Sequence, residues 1–239
     1  MGIFCIKNKK APGYQKKVEW FKKKINSGIK IKIATNKQNK QLGFIEYIPS
    51  EIAWRPVKAE NYFFIQCIAL FVRSAKHQNI GSALIQACVK DAKLNGKSGV
   101  CAMSSNGTWM ANKSIFEKNN FILIDQLDRF ELLCKKFNDN NPQPEFIDWT
   151  KKQNNYKGWN LIYSDQCPWH EKSVSDIKQS AMDNGIDLKI TVLSSPKEAQ
   201  KAPSGFGSFS LIKDGKLIED HYLSKTRFEN ILRKERNKN

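Results

Sequence analysis

Apolar positions along the chain change period several times, and each change predicts an element. Over residues 13–26, Tyr14, Val18, Phe21 and Ile25 recur at helical spacing, with Lys16, Lys17, Lys22, Lys23 and Lys24 assigned mostly to the opposite face. Ser27-Gly28 ends that helix. Residues 29–33 alternate strictly, as a half-buried strand does, and the polar stretch 36–40 turns the chain into a second strand over 42–48. Proline at 49 and 56 excludes one long central strand there, so residues 46–57 read as a bulged or looping connection. Glu46, Glu51, Trp54 and Arg55 on such a loop form one possible wall of an acceptor pocket; a packed loop is the other reading.

The stretch from 67 to 99 organises the first half. A continuous apolar run at the end of the strand over 62–72 breaks into a polar loop containing Gly81, and Leu84, Ile85, Cys88, Val89 and Ala92 then recur at helical spacing as far as Asn95-Gly96. Strand, loop and helix in that order make a seat for an anion, because the first N–H groups of a helix and the positive end of its dipole point into the loop. Residues 99–103 form the next buried strand, parallel to the previous one because a helix crosses between them. A short helix over 112–119 and strands over 120–124 and 130–134 follow.

The run from Lys76 to Leu84 resembles the coenzyme A pyrophosphate loop of the GNAT N-acetyltransferases, Arg/Gln-x-x-Gly-x-Gly/Ala before an amphipathic helix. Lys76 stands in place of Arg or Gln and Asn79 in place of the first glycine; Asn is the non-glycine residue that best accepts a left-handed backbone. The stretch from Asn112 to Phe121 is similar to that family's Asn-x-x-Ala-x-x-x-Tyr-x-x-x-Gly-Phe, with Phe116 for the tyrosine and Asn120 for the glycine. The resemblance implies an α/β (α+β) fold, an acyl-CoA N-acyltransferase domain with a mixed, largely antiparallel sheet, whose two parallel strands splay around the pantetheine. It implies cofactor contacts at Leu70, Phe71 and Val72 for the pantetheine, and at Lys76, Gln78, Asn79, Ile80, Gly81 and Ser82 for the pyrophosphate, with Asn112 at the family's asparagine.

Acetyl transfer to an amine needs a neutral nucleophile, commonly made by a carboxylate, and a proton for the departing thiolate. The resemblance aligns Gln66 with the usual glutamate and Phe116 with the usual tyrosine, and neither side chain serves. Glu46 is the first candidate base, because strand alternation can aim it into the cleft; Glu51 is a second, and Tyr47 is a candidate proton donor.

A polar, proline-punctuated linker over 138–157 separates a domain of residues 1–137 from a second one of 158–239. The second half reads as strand, helix, strand, a brief proline-started helix, a hairpin at Asp214-Gly215 and a final helix opened by Ser224. With Cys167 at the mouth of its first helix it resembles a thioredoxin-like fold, and it is similar to the YoaP-like domain found fused to GNAT domains. Cys167 would have its thiolate stabilised at a helix start, with His170 one turn on. The second cysteine of a redox pair is absent, since His170 occupies its place, so no thiol–disulfide cycle can run within this site.

Composition narrows the function classes. A chain of 239 residues accommodates two domains, and no run approaches the ~20 apolar residues of a membrane span. The N-terminus meets lysines too soon for a signal peptide, so a cytoplasmic protein is expected. The formal charge is +17, yet only six of the 40 basic residues are arginine and the lysines are dispersed, which argues against a nucleic-acid interface. The six cysteines are scattered and form neither a disulfide scaffold nor a metal site. Within those bounds the resemblance implies acetyl-CoA-dependent acetylation of a primary amine on a small-molecule or peptide acceptor, without a metal. A non-catalytic CoA-binding or regulatory protein and a thiol-reactive module centred on Cys167 are the alternatives.

Overall fold

The computed structural model describes residues 4–6, 8–71 and 79–237. The first half runs α1 (Gly13–Lys24), β1 (Lys30–Thr35), β2 (Gln41–Pro49), β3 (Val57–Lys58), β4 (Tyr62–Leu70), α2 (Ile80–Leu94), β5 (Gly99–Ser104), α3 (Lys113–Glu117), β6 (Ile122–Leu127) and β7 (Phe130–Lys136). Its sheet has the order β1-β2-β4-β5-β7-β6, and β4–β5 is the one parallel pair among them. That arrangement follows from connection length: the hairpins need only short turns, whereas the helix α2 carries the chain back so that β5 runs alongside β4.

β2 extends to Pro49 at its last position, and a 3-10 turn over Ser50–Ile52 leads into the irregular segment the prolines predict. β4 contains a bulge: Glu46 pairs with Cys67 and Tyr47 with Ile65, so Gln66 is the extra residue with no partner on β2.

α1 departs from the sequence reading at one position. Lys17 lies on the buried face with Tyr14, Val18 and Phe21, rather than among the solvent-facing lysines. Its spacing of three from Tyr14 and four from Phe21 puts it on the apolar stripe. The N-terminus of α1 abuts the second half so closely that a Cβ on Gly13 would lie 1.9 Å from the carbonyl oxygen of Pro168, which only glycine avoids.

The segment expected to be a linker is docked. β8 (Glu145–Phe146) pairs with β3, and Trp149 is fully buried, edge-on to both Phe130 and Phe146. The second half then forms β9 (Trp159–Tyr163), α4 (His170–Asp183), β10 (Leu188–Val192), α5 (Pro196–Gln200), β11 (Phe209–Lys213), β12 (Lys216–Glu219) and α6 (Lys225–Arg236). Its sheet order is β10-β9-β11-β12, with β9 and β10 parallel and β11 antiparallel to both of its neighbours. Ser195 and Ser224 accept hydrogen bonds from the N–H groups of Glu198 and Arg227, capping α5 and α6 as their positions predict.

One hydrophobic cluster passes through both halves, joining Trp54, Phe130 and Trp149 to Phe206, Phe209 and Leu211. Polar bonds cross the same boundary: Arg129 holds Asp220 in a two-pronged ion pair, and Gln200 Nε2 donates to the carbonyl of Glu51. A second cluster, including Ile45, Phe63, Leu84, Ile85 and Leu133, packs α2 on the first sheet.

Candidate active site

α2 begins at Asn79, which holds a left-handed backbone at φ 55°, the conformation its loop position predicts. The Asn79 carbonyl accepts from Ala83, which leaves the N–H groups of Ile80, Gly81 and Ser82 outside the helix's own ladder. The Asn79 side chain does not cap them; its oxygen accepts instead from Lys118 Nζ at 2.9 Å, bringing an exposed cation to the helix start. Ser82 Oγ is held by Asn119 Nδ2. A Cβ on Gly81 would lie 2.5 Å from Ile115 Cδ1, so the glycine also serves the packing of α2 on α3. Asn112, expected at the cofactor, caps α3 by accepting from Ser114 N–H. Val72, Lys76 and Gln78 lie outside the described residues.

β4 and β5 pair from Tyr62↔Gly99 to Ile65↔Ala102, and the ladder is not continued beyond that, although β4 runs to Leu70 and β5 to Ser104. The strands fork where the bulge at Gln66 sits. Leu70 closes the far end of the fork beside Gly81, and Phe71 is tied to β2 by its N–H to the Leu42 carbonyl and by stacking on Phe44. A cavity of about 310 Å³ opens at the fork, lined on the first sheet by Gln66, Cys67, Ile68, Ala69 and Met103. Its opposite wall comes from the second half: Gln166, Cys167, Pro168, Trp169 and Phe206.

Two polar residues of the cavity lining, Gln66 and Arg55, stand out energetically. Gln66 Oε1 accepts from the Trp54 N–H at 2.9 Å, which fixes the orientation of the amide, and its buried Nε2 has no partner among the described residues. Arg55 is 5% exposed; its Nη1 donates to the Trp54 carbonyl and to Ser208 Oγ, and its guanidinium lies 4.3 Å above the Phe206 ring. Burial lowers its pKa to about 10, so it remains a cation at neutral pH.

The expected catalytic side chains lie elsewhere. Glu46 is clasped by Lys17 Nζ at 2.9 and 3.0 Å, with Gln166 behind it at 3.4 Å, in an ion pair whose two side chains are each 2% exposed. Tyr47 donates to Asp91 Oδ2 beneath α2; burial, reinforced by that bond, pushes its phenol well above its ordinary range. Glu51 is exposed on the 3-10 turn and accepts from the Asn61 N–H. None of the three lines the cavity. Phe116 and Gln66 do, so the two positions where the resemblance implies chemistry are at the site but carry the wrong groups for it.

Cys5, Cys67 and Cys167 all line the cavity. Burial pushes the Cys5 thiol up to about 12, and raises Cys167 too despite a hydrogen bond from the backbone of Trp169. His170 gives Cys167 no cationic help: burial, against the pull of its bond to Ser164, lowers its pKa to about 4, and Nδ1 donates to that carbonyl at 2.8 Å. The helix-start thiolate expected at Cys167 is thus outweighed by desolvation. Of the four residues read as a possible acceptor-pocket wall, Arg55 lines the cavity and Glu46, Glu51 and Trp54 do not, whereas Lys118, Lys17 and Cys67 carried no separate signal beyond helical spacing or strand position.

A fork in one parallel strand pair, set beside an uncapped helix start, defines an α+β fold with a slot between strands and a cavity at its end. The family described as YoaP-like matches over residues 187–230. A protein of Bacillus subtilis (strain 168), named there as an uncharacterized N-acetyltransferase YoaP, is 29% identical over 222 residues, covering 90% of this chain and 86% of its own length. Among solved structures, the PaiA N-acetyltransferase of Thermoplasma acidophilum in complex with coenzyme A is 20% identical, with a TM-score of 0.40 over 50% of this chain and 68% of that one. The aminoglycoside 6'-acetyltransferase type Ii is 15% identical, with a TM-score of 0.40 over 52% of this chain and 77% of that one. No helix among the described residues is long and apolar enough to cross a membrane.

Proposed function

We propose that this protein is an acetyl-CoA-dependent N-acetyltransferase of the GNAT type that acetylates a primary amine. The observation that carries the reading is the fork of β4 and β5, which opens beside the start of α2 and ends in the cavity. The N–H groups of Ile80, Gly81 and Ser82, with Lys118, would hold the diphosphate, and the open edge of β4 from Gln66 to Leu70 would hold the pantetheine. Acetyl-CoA supplies an activated acyl carbonyl. In the balanced reaction the amine nitrogen bonds to the acyl carbon, the carbon–sulfur bond breaks, and the proton lost from nitrogen leaves on the thiol.

Among the described residues the cavity wall offers no carboxylate base, so the amine enters neutral and the chain's contribution is placement, which alone accounts for a large rate factor. In this reading the second half is thioredoxin-like in topology: α4 crosses between the parallel β9 and β10, and β11, β12 and α6 complete the layer. In this reading it walls the acceptor site. The reading places the protein in the cytoplasm, with its cysteines reduced.

Calorimetric titration with acetyl-CoA, followed by thiol release over a panel of amines, tests it. Lys118→Ala should weaken acetyl-CoA binding by about three- to tenfold, because an exposed cation near a diphosphate contributes roughly 1 kcal/mol. The deficit should shrink as salt is added. Unchanged affinity in the variant would remove Lys118 from the site, and no binding by the intact protein would remove the assignment.

A further inference from the structure

We propose that the acceptor is a free amino acid with an apolar side chain, whose carboxylate is received jointly by the Arg55 guanidinium and the Gln66 amide. The proposal rests on the transferase reading, which supplies the amine; the carboxylate comes from the cavity itself.

Arg55 is a buried cation without a carboxylate partner among the described residues. The acidic groups whose fields reach it are already engaged. Glu46 is held by Lys17, and Asp220 by Arg129 and His221. Both of those pairs are closed, so the guanidinium is the unbalanced charge of the cluster. Of its three nitrogens, Nη1 alone has acceptors among the described residues. Burying an ion in that condition costs several kcal/mol unless something pairs with it.

Gln66 adds a second donor residue to the lining of the same cavity. Its Oε1 is anchored by the N–H of Trp54, and Arg55 Nη1 is anchored by the carbonyl of Trp54, so one residue's peptide groups fix both side chains. Gln66 Nε2 is buried and unpartnered in the cavity wall. Two fixed donors, one of them charged, match a carboxylate. A phosphate monoester would bring nearly two charges to a single cation. Apart from Gln166, whose amide donates to Glu46, and the cysteines, the rest of the lining is apolar, including Phe44, Met103, Trp109 and Met110, which suits an aliphatic or aromatic side chain.

The test uses the full chain. L-leucine, L-methionine and L-phenylalanine are compared, by thiol release from acetyl-CoA, with their carboxamides and with the amines left by removing the carboxyl group. The acids should exceed both analogues in kcat/KM by about 10- to 100-fold, the range of a charge-assisted hydrogen bond. The carboxamides carry the less basic amine, so amine basicity alone would favour them. Arg55→Gln should bring the ratio of acid to amide toward one, a readout internal to each preparation. If that variant does not fold, the comparison of acid, amide and amine on the unaltered protein decides.

Equal turnover of acid and amide, or turnover of none of these compounds by protein that binds acetyl-CoA, overturns the proposal and leaves the transferase reading standing. Failure to bind acetyl-CoA overturns the transferase reading instead. In that case the shift in thermal midpoint with L-leucine against L-leucinamide decides the carboxylate site by itself: a shift with the acid alone supports it, and equal shifts or none refute it.

Discussion

Replacing Lys17 by methionine should destabilise the protein by about 3–5 kcal/mol, because it strands the Glu46 carboxylate in the core. Both partners are 2% exposed and sit 2.9 Å apart, so neither water nor another cation replaces the lost ammonium. Removing both charges should behave differently. The double variant Lys17→Met, Glu46→Leu trades a desolvated pair for apolar volume and should return to within about 2 kcal/mol of the parent. Gln166 loses an acceptor in that variant, but the bond is long at 3.4 Å. Urea denaturation of the parent, both single variants and the double variant closes the cycle. The same set decides the role of Glu46. If it is structural, the folded double variant retains acetyl transfer; if it is the base that strand alternation implies, transfer is lost in a folded protein.

His170 should make the protein about 3 kcal/mol less stable near pH 4 than near pH 7, over and above the contribution of its carboxylates. The sign follows from its folded pKa of about 4 against an ordinary 6.5. Below pH 6.5 the unfolded chain takes up a proton that the buried imidazole refuses. Stability is therefore fully present above that pH and lost as pH falls through the window to about 4. His170→Gln keeps a donor for the Ser164 carbonyl and removes the titration, so its stability should depend less on pH by that amount. Imidazole resonances followed by NMR give a direct check. Titration of His170 near pH 6.5 in the folded protein would contradict the burial argument and reopen Cys167 to activation by a neighbouring cation.

Much of the fold was legible in the sequence because its signals are local. Strict alternation over 29–33, the apolar run ending in a polar loop before Gly81, and the Asp214-Gly215 hairpin each follow from backbone geometry within a few residues. Asn79 and Asn120 take the left-handed conformations their positions ask for, at φ 55° and 62°. The surroundings of Glu46, Glu51 and Tyr47 were not legible, because strand alternation says which face a side chain leaves and not what waits there. Glu46 leaves toward Lys17, whose place on the apolar stripe of α1 was read as solvent because the neighbouring lysines are. The cavity was illegible for a different reason. One side of its wall belongs to residues 166–169 and Phe206, more than 60 positions from β5, and no local pattern announces that the two halves share a core.

The three cysteines at the cavity follow the same logic. Spacing showed only that the six cysteines are scattered, yet the fold gathers Cys5, Cys67 and Cys167 onto one surface, where burial raises all three thiol pKa values.

A crystal structure of the protein with acetyl-CoA bound tests the central claim most directly. The pantetheine should lie between β4 and β5 beyond Ile65 and Ala102, with the diphosphate on the amides of residues 80–82 and the sulfur at the mouth of the cavity. A nucleotide thioester bound at any other place, with the fork empty, would contradict it.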